Sequence, residues 1–494
     1  MLNTIKENYL LIPSVPTPNG RLHLGHIGGP YLSVDILRRY LESLGHHAII
    51  ISGTDSYESY MTAQAEKEQS TPEKIGRHYH SLIAEDLIAL DIELECFVNP
   101  LDEVWENHYQ TWQYETFKQL QNNNLIHELD EYVPWDESKK RYLTGCWLQG
   151  DCPSCHLPVR GYFCENCGAH FRPEEAVKEQ DVIRKKMTNF FLKLTNQANL
   201  DEKGINNHLK NSYFHFIAQQ NGLLRLTANS DYGLKFGFDT TLFNYGLMFA
   251  YFLMFGEIAG KIFGIEKNTF SLDSTVTTIA SFGIDNFIPF LGSTLGISEG
   301  SKLYKPFDYY LINHFYHLDG QKFSTSRGHA IWVKDSIKNH SSDVIRLYLA
   351  SINVRHQIGN FIHLEFMQFC NDTQEWMNQL IENGFNKLDL SSPKYCDDNF
   401  FDEINRLFHQ QAIAFRPQQF HPHDCVHLIH HWLERGNLLD ITSPQYFWWL
   451  KTLSLLIYPI MPQFGKKIWN HLGYKHNPVF NDFTNLPDER RRVS

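Results

Sequence analysis

The sequence predicts an α/β protein built on a doubly wound parallel sheet, with a cysteine-rich insertion and a helical C-terminal region. Three observations carry that prediction. An apolar extended run, a helical stretch and a second apolar run open the chain as a β-α-β unit. Strand-like apolar runs return near 277–283 and 309–317, and from about residue 361 helical patterns dominate. At 494 residues the chain is long for one core, so several domains are expected. Hydrophobic residues at 42% supply those cores and argue against disorder.

The elements come in order along the chain. Tyr9 to Val15 reads as the first strand, His23 to Leu44 as a helix and His47 to Ser52 as the second strand, leading into the loop GTDSYES that holds Asp55. In such sheets ligands sit beyond the carboxyl ends of the strands. Both Asp55 and the turn PTPNGRLHLGHIGG, residues 16–29, fall there. His23 and His26 stand three apart on one helix face, with Gly25 leaving bare backbone between them. That pattern suits a flat ring lying on the glycine and a polyanion between the imidazoles. The pattern divides the chain into 1–125, the first half of the sheet domain; 126–185, the insertion; 186–320, the second half; 321–360, a polar loop with the segment behind it; and 361–494, helical.

Four of the nine cysteines, Cys152, Cys155, Cys164 and Cys167, fall within CPSCHLPVRGYFCENCG. Two CxxC pairs at this spacing suit tetrahedral thiolate coordination of Zn²⁺, with redox pairs or a relic knuckle as the alternative. A shell of four cysteines leaves no open position, so the role expected of the metal is structural. The other five cysteines read as ordinary thiols.

A second polar stretch, HLDGQKFSTSRGHAIWV, places Lys322, Ser324, Thr325, Ser326 and Arg327 after a turn at Gly320. Such a loop can close over a phosphate chain and stabilise charge that develops in the transition state. Alone it is weak evidence and reads more readily as a solvated surface turn. The formal charge of −12 speaks against nonspecific coating of nucleic acid. No run reaches eighteen apolar residues, and residues 1–12 lack a basic region followed by a long apolar segment, so a cytoplasmic chain without a membrane span is expected.

Taken together, HLGH, KFSTS, GDCPSC with CENCG, TNFFLKL at 188–194 and GID at 283–285 resemble the class I aminoacyl-tRNA synthetases, and within them the methionyl-tRNA synthetases. The likeness runs from about residue 9 to about 360. It implies a Rossmann-type fold with a zinc-knuckle connective insertion and a helical anticodon-binding-like domain. It further implies that an amino acid, most plausibly methionine, is activated with ATP and Mg²⁺ as an aminoacyl adenylate and passed to tRNA. By the same resemblance His23, His26 and Lys322 are the catalytic residues, Gly25, Gly283, Asp285, Ser324 and Ser326 meet ATP, and Val15, Asp55, Tyr251 and Phe290 meet the amino acid. Asp55 matches the residue that pairs with the ammonium, and Asp285 the one near the ribose.

The chain also departs from the family. Thr325 replaces the loop's second lysine, Phe290 stands where the family has a pocket histidine, and the family's anticodon-reading Asn, Arg and Trp are not matched in order. Trp448 and Trp449 read either as base-stacking residues or as core. Those departures keep two alternatives open: an adenylate-forming paralogue serving another acceptor, and a catalytically weak tRNA-binding or regulatory protein. The sequence says nothing of the oligomeric state.

Overall fold

The computed structural model describes residues 6–164, 169–177, 182–194, 200–219, 221–237, 239–323, 328–385, 388 and 396–485. At its centre five parallel strands, β1 (Asn8–Pro13), β2 (His47–Gly53), β3 (Cys96–Val98), β4 (Thr277–Gly283) and β5 (Tyr309–Asn313), lie in the order β5-β4-β1-β2-β3. The order reverses between β1 and β4, which puts a crevice beyond their carboxyl ends. Register there is set by Ile12 opposite Ala280 and Pro13 opposite Ser281. The expected run from 309 to 317 is split: β5 ends at Asn313, and Tyr316–Leu318 joins a small separate sheet with Gln321–Lys322 and Gly359–Phe361.

Alternation along the strands buries both faces. Leu11, Ile50, Ile279 and Leu311 point into one core, shared with the first helix and the C-terminal helices. Leu10, Ile12, Ile49, Ile51, Phe282 and Ile312 point into the other, against helices Met248–Phe263 and Phe287–Ser301. A period of two with apolar residues on both faces is what a sheet covered on each side requires.

The first helical run, 24–43, is not continuous. Gly29 leaves helical geometry (φ −83°, ψ −106°) ahead of Pro30. A proline disfavours the α conformation of the residue before it and offers no N–H to the preceding turn. Two glycines let this kink dock on the sheet: a Cβ on Gly28 would stand 2.7 Å from the Tyr316 ring, and one on Gly29 2.7 Å from the Asn313 amide. Tyr316 Oη donates to the Gly28 carbonyl at 2.9 Å.

Inserted between β3 and β4 is an antiparallel sheet of Arg141–Tyr142, Ile126–Asp136, Arg184–Lys193 and Leu223–Arg225. Its interior holds a buried ion pair between Glu131 and Arg225. The Arg225 guanidinium lies 4.2 Å from the Tyr162 ring of the cysteine segment and 4.8 Å from Phe191, fastening that segment to the sheet.

A second buried cluster joins the first helix to the helical end. Asp35, fully buried, accepts from Arg39 Nε at 2.8 Å, Arg38 at 3.1 Å and Arg346 at 2.6 Å. Arg346, also fully buried, donates to the carbonyls of Leu90, Pro459 and Ile460. Burial opposes the ionised form of Asp35, but the three guanidinium groups hold its carboxyl well below the usual range. Removing one charge from a buried pair typically costs about 3–5 kcal/mol. Asp35→Asn is therefore expected to lose about 4 kcal/mol in denaturant-induced unfolding; a loss below about 1 kcal/mol, the level of a surface pair, would remove this cluster from the account.

Candidate active site

The site forms where β1 and β4 end. His23 is the N-cap of the first helix, and its Nδ1 accepts from the His26 backbone N–H at 3.2 Å, while His26 Nδ1 faces the His23 N–H at 3.4 Å. The two imidazoles stack at 3.6 Å, 13° from parallel. Phe323 lies against His23, ring centroids 4.9 Å apart, and would stand 3.1 Å from a Cβ on Gly25. Glycine therefore provides the close approach for a flat ring, and in this structure the ring present is Phe323.

Burial, and then the neighbouring imidazole, push His23 far down from its ordinary value. His26 is exposed, yet desolvation by the surrounding protein lowers it to about 4. Both rings are neutral at pH 7, each with a ring N–H to donate. Lys322 lies on the short strand Gln321–Lys322 with its ammonium 4.4 Å from the Phe315 ring centroid. Ser324 and Ser326, together with Thr325, lie outside the described residues.

A second cluster lies at the end of β2. Asp55 is buried, its backbone N–H donates to the Pro16 carbonyl, and its carboxylate accepts from Asn244 Nδ2. Desolvation raises it to about 7. Glu58, three residues on and also buried, is raised well above the ordinary carboxyl range by burial and then by Asp55. Among the described residues no cation lowers either carboxyl. Asn244 Oδ1, buried and without a hydrogen-bond partner, adds a third acceptor. Two buried carboxyl groups and an amide oxygen with no counter-charge form a lining whose polarity an ammonium group would satisfy.

Around this cluster stand Tyr57, stacked on Tyr109, and Tyr251, edge-on to Tyr109. Tyr251 Oη donates to the Val98 carbonyl at 3.2 Å. Val15 is buried at the end of β1. Phe290 packs between Phe252 (5.3 Å) and Phe282 (4.8 Å) as part of the core behind the site. Gly283 ends β4, where a Cβ would stand 2.5 Å from Asp285 Oδ1. Tyr245 is raised well above its usual value by burial and then by Glu58, Asp55, Tyr60 and Asp285, so its hydroxyl stands in the field of all three carboxyl groups.

The structure thus brings His23, Gly25 and His26 together with Phe323, and Asp55 together with Tyr251. Glu58 and Asn244 were missed by sequence reasoning. Glu58 carried a signal, a second carboxylate one turn after Asp55 in GTDSYES, whereas Asn244 comes from 189 residues away.

In the insertion, the sulfurs of Cys152, Cys155 and Cys164 lie within 4.8 Å of one another, Cys155 and Cys164 at 3.6 Å. The backbone N–H groups of Ser154 and Cys155 each approach the Cys152 sulfur at 3.4 Å. Converging thiols with amides aimed at the sulfur fit a thiolate-bound Zn²⁺. Cys167 lies outside the described residues. Phe163, next to Cys164, contacts Tyr245 at 6.0 Å, and Cys146 N–H donates to Ser59 beside Glu58, so the insertion forms one wall of the site. No helix among the described residues is long and apolar enough to cross a membrane.

Comparison with known proteins identifies the family and the fold. The family model described as "tRNA synthetases class I (M)" matches residues 9–383. A protein named methionine–tRNA ligase from Methanococcus aeolicus is 28% identical over 388 residues, covering 74% of this chain and 56% of that protein. One of the same name from Thermoplasma volcanium is 26% identical over 526 residues, covering 93% and 91%. The chain therefore spans little more than half of some relatives and nearly all of others. Mycobacterium tuberculosis methionyl-tRNA synthetase in complex with methionyl-adenylate superposes with a TM-score of 0.70 at 13% identity, over 96% of this chain and 95% of that one, and shares the fold.

Because the folded values of His23 and His26 lie below 6.5, the unfolded chain protonates first as pH falls, and these residues cost stability progressively below about pH 6.5. NMR titration is expected to place the His26 midpoint near 4 and to move it upward on addition of pyrophosphate. The rings stack in contact, so the expected polyanion between them is corrected to one at their edges, and a midpoint near 6.5 that pyrophosphate does not move would contradict an anion site there.

Proposed function

The chain belongs to the class I tRNA synthetases (M), and from that premise we propose that it activates an amino acid with ATP, as the aminoacyl adenylate, and transfers the acyl group to tRNA. Methionine is the amino acid that the relatives' names bring to this reading. The observation that carries the proposal is the placement of two separate receptors at one topological switch point: a stacked, neutral histidine pair at a helix N-terminus, and a carboxylate cluster without a counter-charge.

In this reading the ammonium sits among Asp55, Asn244 and Glu58, which leaves the substrate carboxylate facing the crevice. That carboxylate attacks the α-phosphorus, a P–O bond forms, and the bond to the β-phosphate oxygen breaks with release of pyrophosphate. His23 and His26 donate to phosphoryl oxygens whose charge grows as the bond breaks, and Lys322 approaches from the loop. Gly25 carries the adenine after Phe323 withdraws, and Asp285, beside Gly283, takes the ribose hydroxyls. Ser324 and Ser326 complete the phosphate loop. Mg²⁺ accompanies ATP and neutralises part of its charge. Cys152, Cys155, Cys164 and Cys167 would hold Zn²⁺, which would serve as a structural cross-link within the insertion. Residues 321–360 and the C-terminal region 361–494 would then face the tRNA. Trp448 and Trp449 belong to the core of that region: both are buried, and Trp449 Nε1 donates to the Trp432 carbonyl at 2.6 Å.

Losing one such donor costs roughly 3 kcal/mol, about a hundredfold in rate. His26→Ala is expected to slow methionine-dependent pyrophosphate exchange by about that factor while changing ATP affinity little. Asp55→Asn, which leaves the ammonium without its carboxylate, is expected chiefly to raise KM for the amino acid. Exchange at the parental rate in His26→Ala would refute the phosphate role.

A further inference from the structure

Beyond the synthetase reading, a second group of metal-type ligands stands at the start of helix Pro422–Gly436, far along the chain from the cysteine segment. His421 Nδ1 is 2.8 Å and His423 Nδ1 3.7 Å from the same oxygen, Asp424 Oδ1, and the three ligand atoms lie within 4.8 Å of one another. Nitrogen and oxygen ligands of tetrahedral Zn²⁺, each about 2.1 Å from the metal, stand roughly 3.4 Å apart, so small side-chain shifts would seat an ion among them.

Two further details favour a metal over an ordinary histidine–aspartate pair. The outer nitrogen of His421 is 3.1 Å from Asn353 Oδ1, an oxygen that also accepts from the Arg355 backbone N–H. A carbonyl oxygen on the far nitrogen is how ligating histidines are oriented. A simple pair also accounts for His421 but not for His423, whose Nδ1 is buried without a hydrogen-bond partner and aims at the carboxylate from beyond bonding range. His427, one turn on, brings its Nε2 within 3.3 Å of His423 Nε2.

We propose that His421, His423 and Asp424 form a second, independent site for a divalent transition metal of the Zn²⁺ class. His421 and Asp424 line a cavity of about 980 Å³ that Arg355 and Arg416 also line. Three protein ligands leave one tetrahedral position, and water or an anion drawn in by those guanidinium groups completes the shell. Because Asn353 and Arg355 precede the helical region, an ion there ties residues 353–356 to the start of helix Pro422–Gly436 and stiffens the junction. The site serves no step of adenylate formation.

The test uses the full chain, stripped of metal and titrated with Zn²⁺ by calorimetry, with Co²⁺ as a spectroscopic probe. His423→Ala and the gentler His423→Gln and Asp424→Asn are each expected to bind about one equivalent fewer than the parent, and to lose the Zn²⁺-dependent rise in Tm. They should keep the sulfur-to-cobalt charge-transfer band of the cysteine site, which also reports that the variants are folded. Cys155→Ser is expected to lose that band and to keep the second equivalent. Equal stoichiometry in the parent and the three His423 and Asp424 variants would overturn the proposal.

Discussion

Everything the site does depends on the first helix being held in one place, and a single buried carboxylate does most of the holding. Asp35 draws Arg38 and Arg39 of its own helix and Arg346 of a distant one onto two oxygens, and Arg346 directs its remaining donors to carbonyls at 90, 459 and 460. A charge buried this deeply is tolerated only when nearly every lone pair and N–H is satisfied. The consequence is geometric. The helix that begins with His23 and His26 cannot shift against the sheet without breaking several of these contacts, so the imidazoles keep their position at the switch point.

The kink at Gly29 and Pro30 works with that anchor. It sets the first helical turn, bearing the histidines, at an angle to the remainder bearing Asp35, while Asn313 at the end of β5 and Tyr316 of the small separate sheet close over the glycines. The buried pair Glu131–Arg225 fixes the insertion in the same manner. Through Tyr162, Phe163 and Cys146 that insertion reaches the carboxylate cluster. The two receptors are therefore held by different networks, one through the helical end of the chain and one through the cysteine segment.

Much of the fold was legible because its signals are local. The apolar runs Tyr9 to Val15 and His47 to Ser52, the spacing of His23 and His26, and the CxxC pairs each report a geometry fixed within a few residues. The break at Gly29 was not read, though the following proline announces it. What stayed hidden depends on burial and on partners far along the chain. GTDSYES shows that Glu58 comes after Asp55, but not that both are enclosed without a cation, and nothing in FNYGLMFAYF shows that Asn244 turns an unpaired oxygen into that cluster. Phe290, placed by resemblance at the amino-acid pocket, stands in an aromatic core that sequence alone does not separate from a pocket lining.

The central claim is that the histidine pair and the carboxylate cluster act on two substrates of one reaction. Its most direct test is to mix the full-length protein with methionine and MgATP in the absence of tRNA, quench within a single turnover, and identify the nucleotide product by mass spectrometry. The account predicts about one methionyl-adenylate per active site with an equal amount of pyrophosphate. ATP cleaved to ADP and inorganic phosphate, or adenylate formed no faster in the parent than in a variant lacking both His23 and His26, would contradict it.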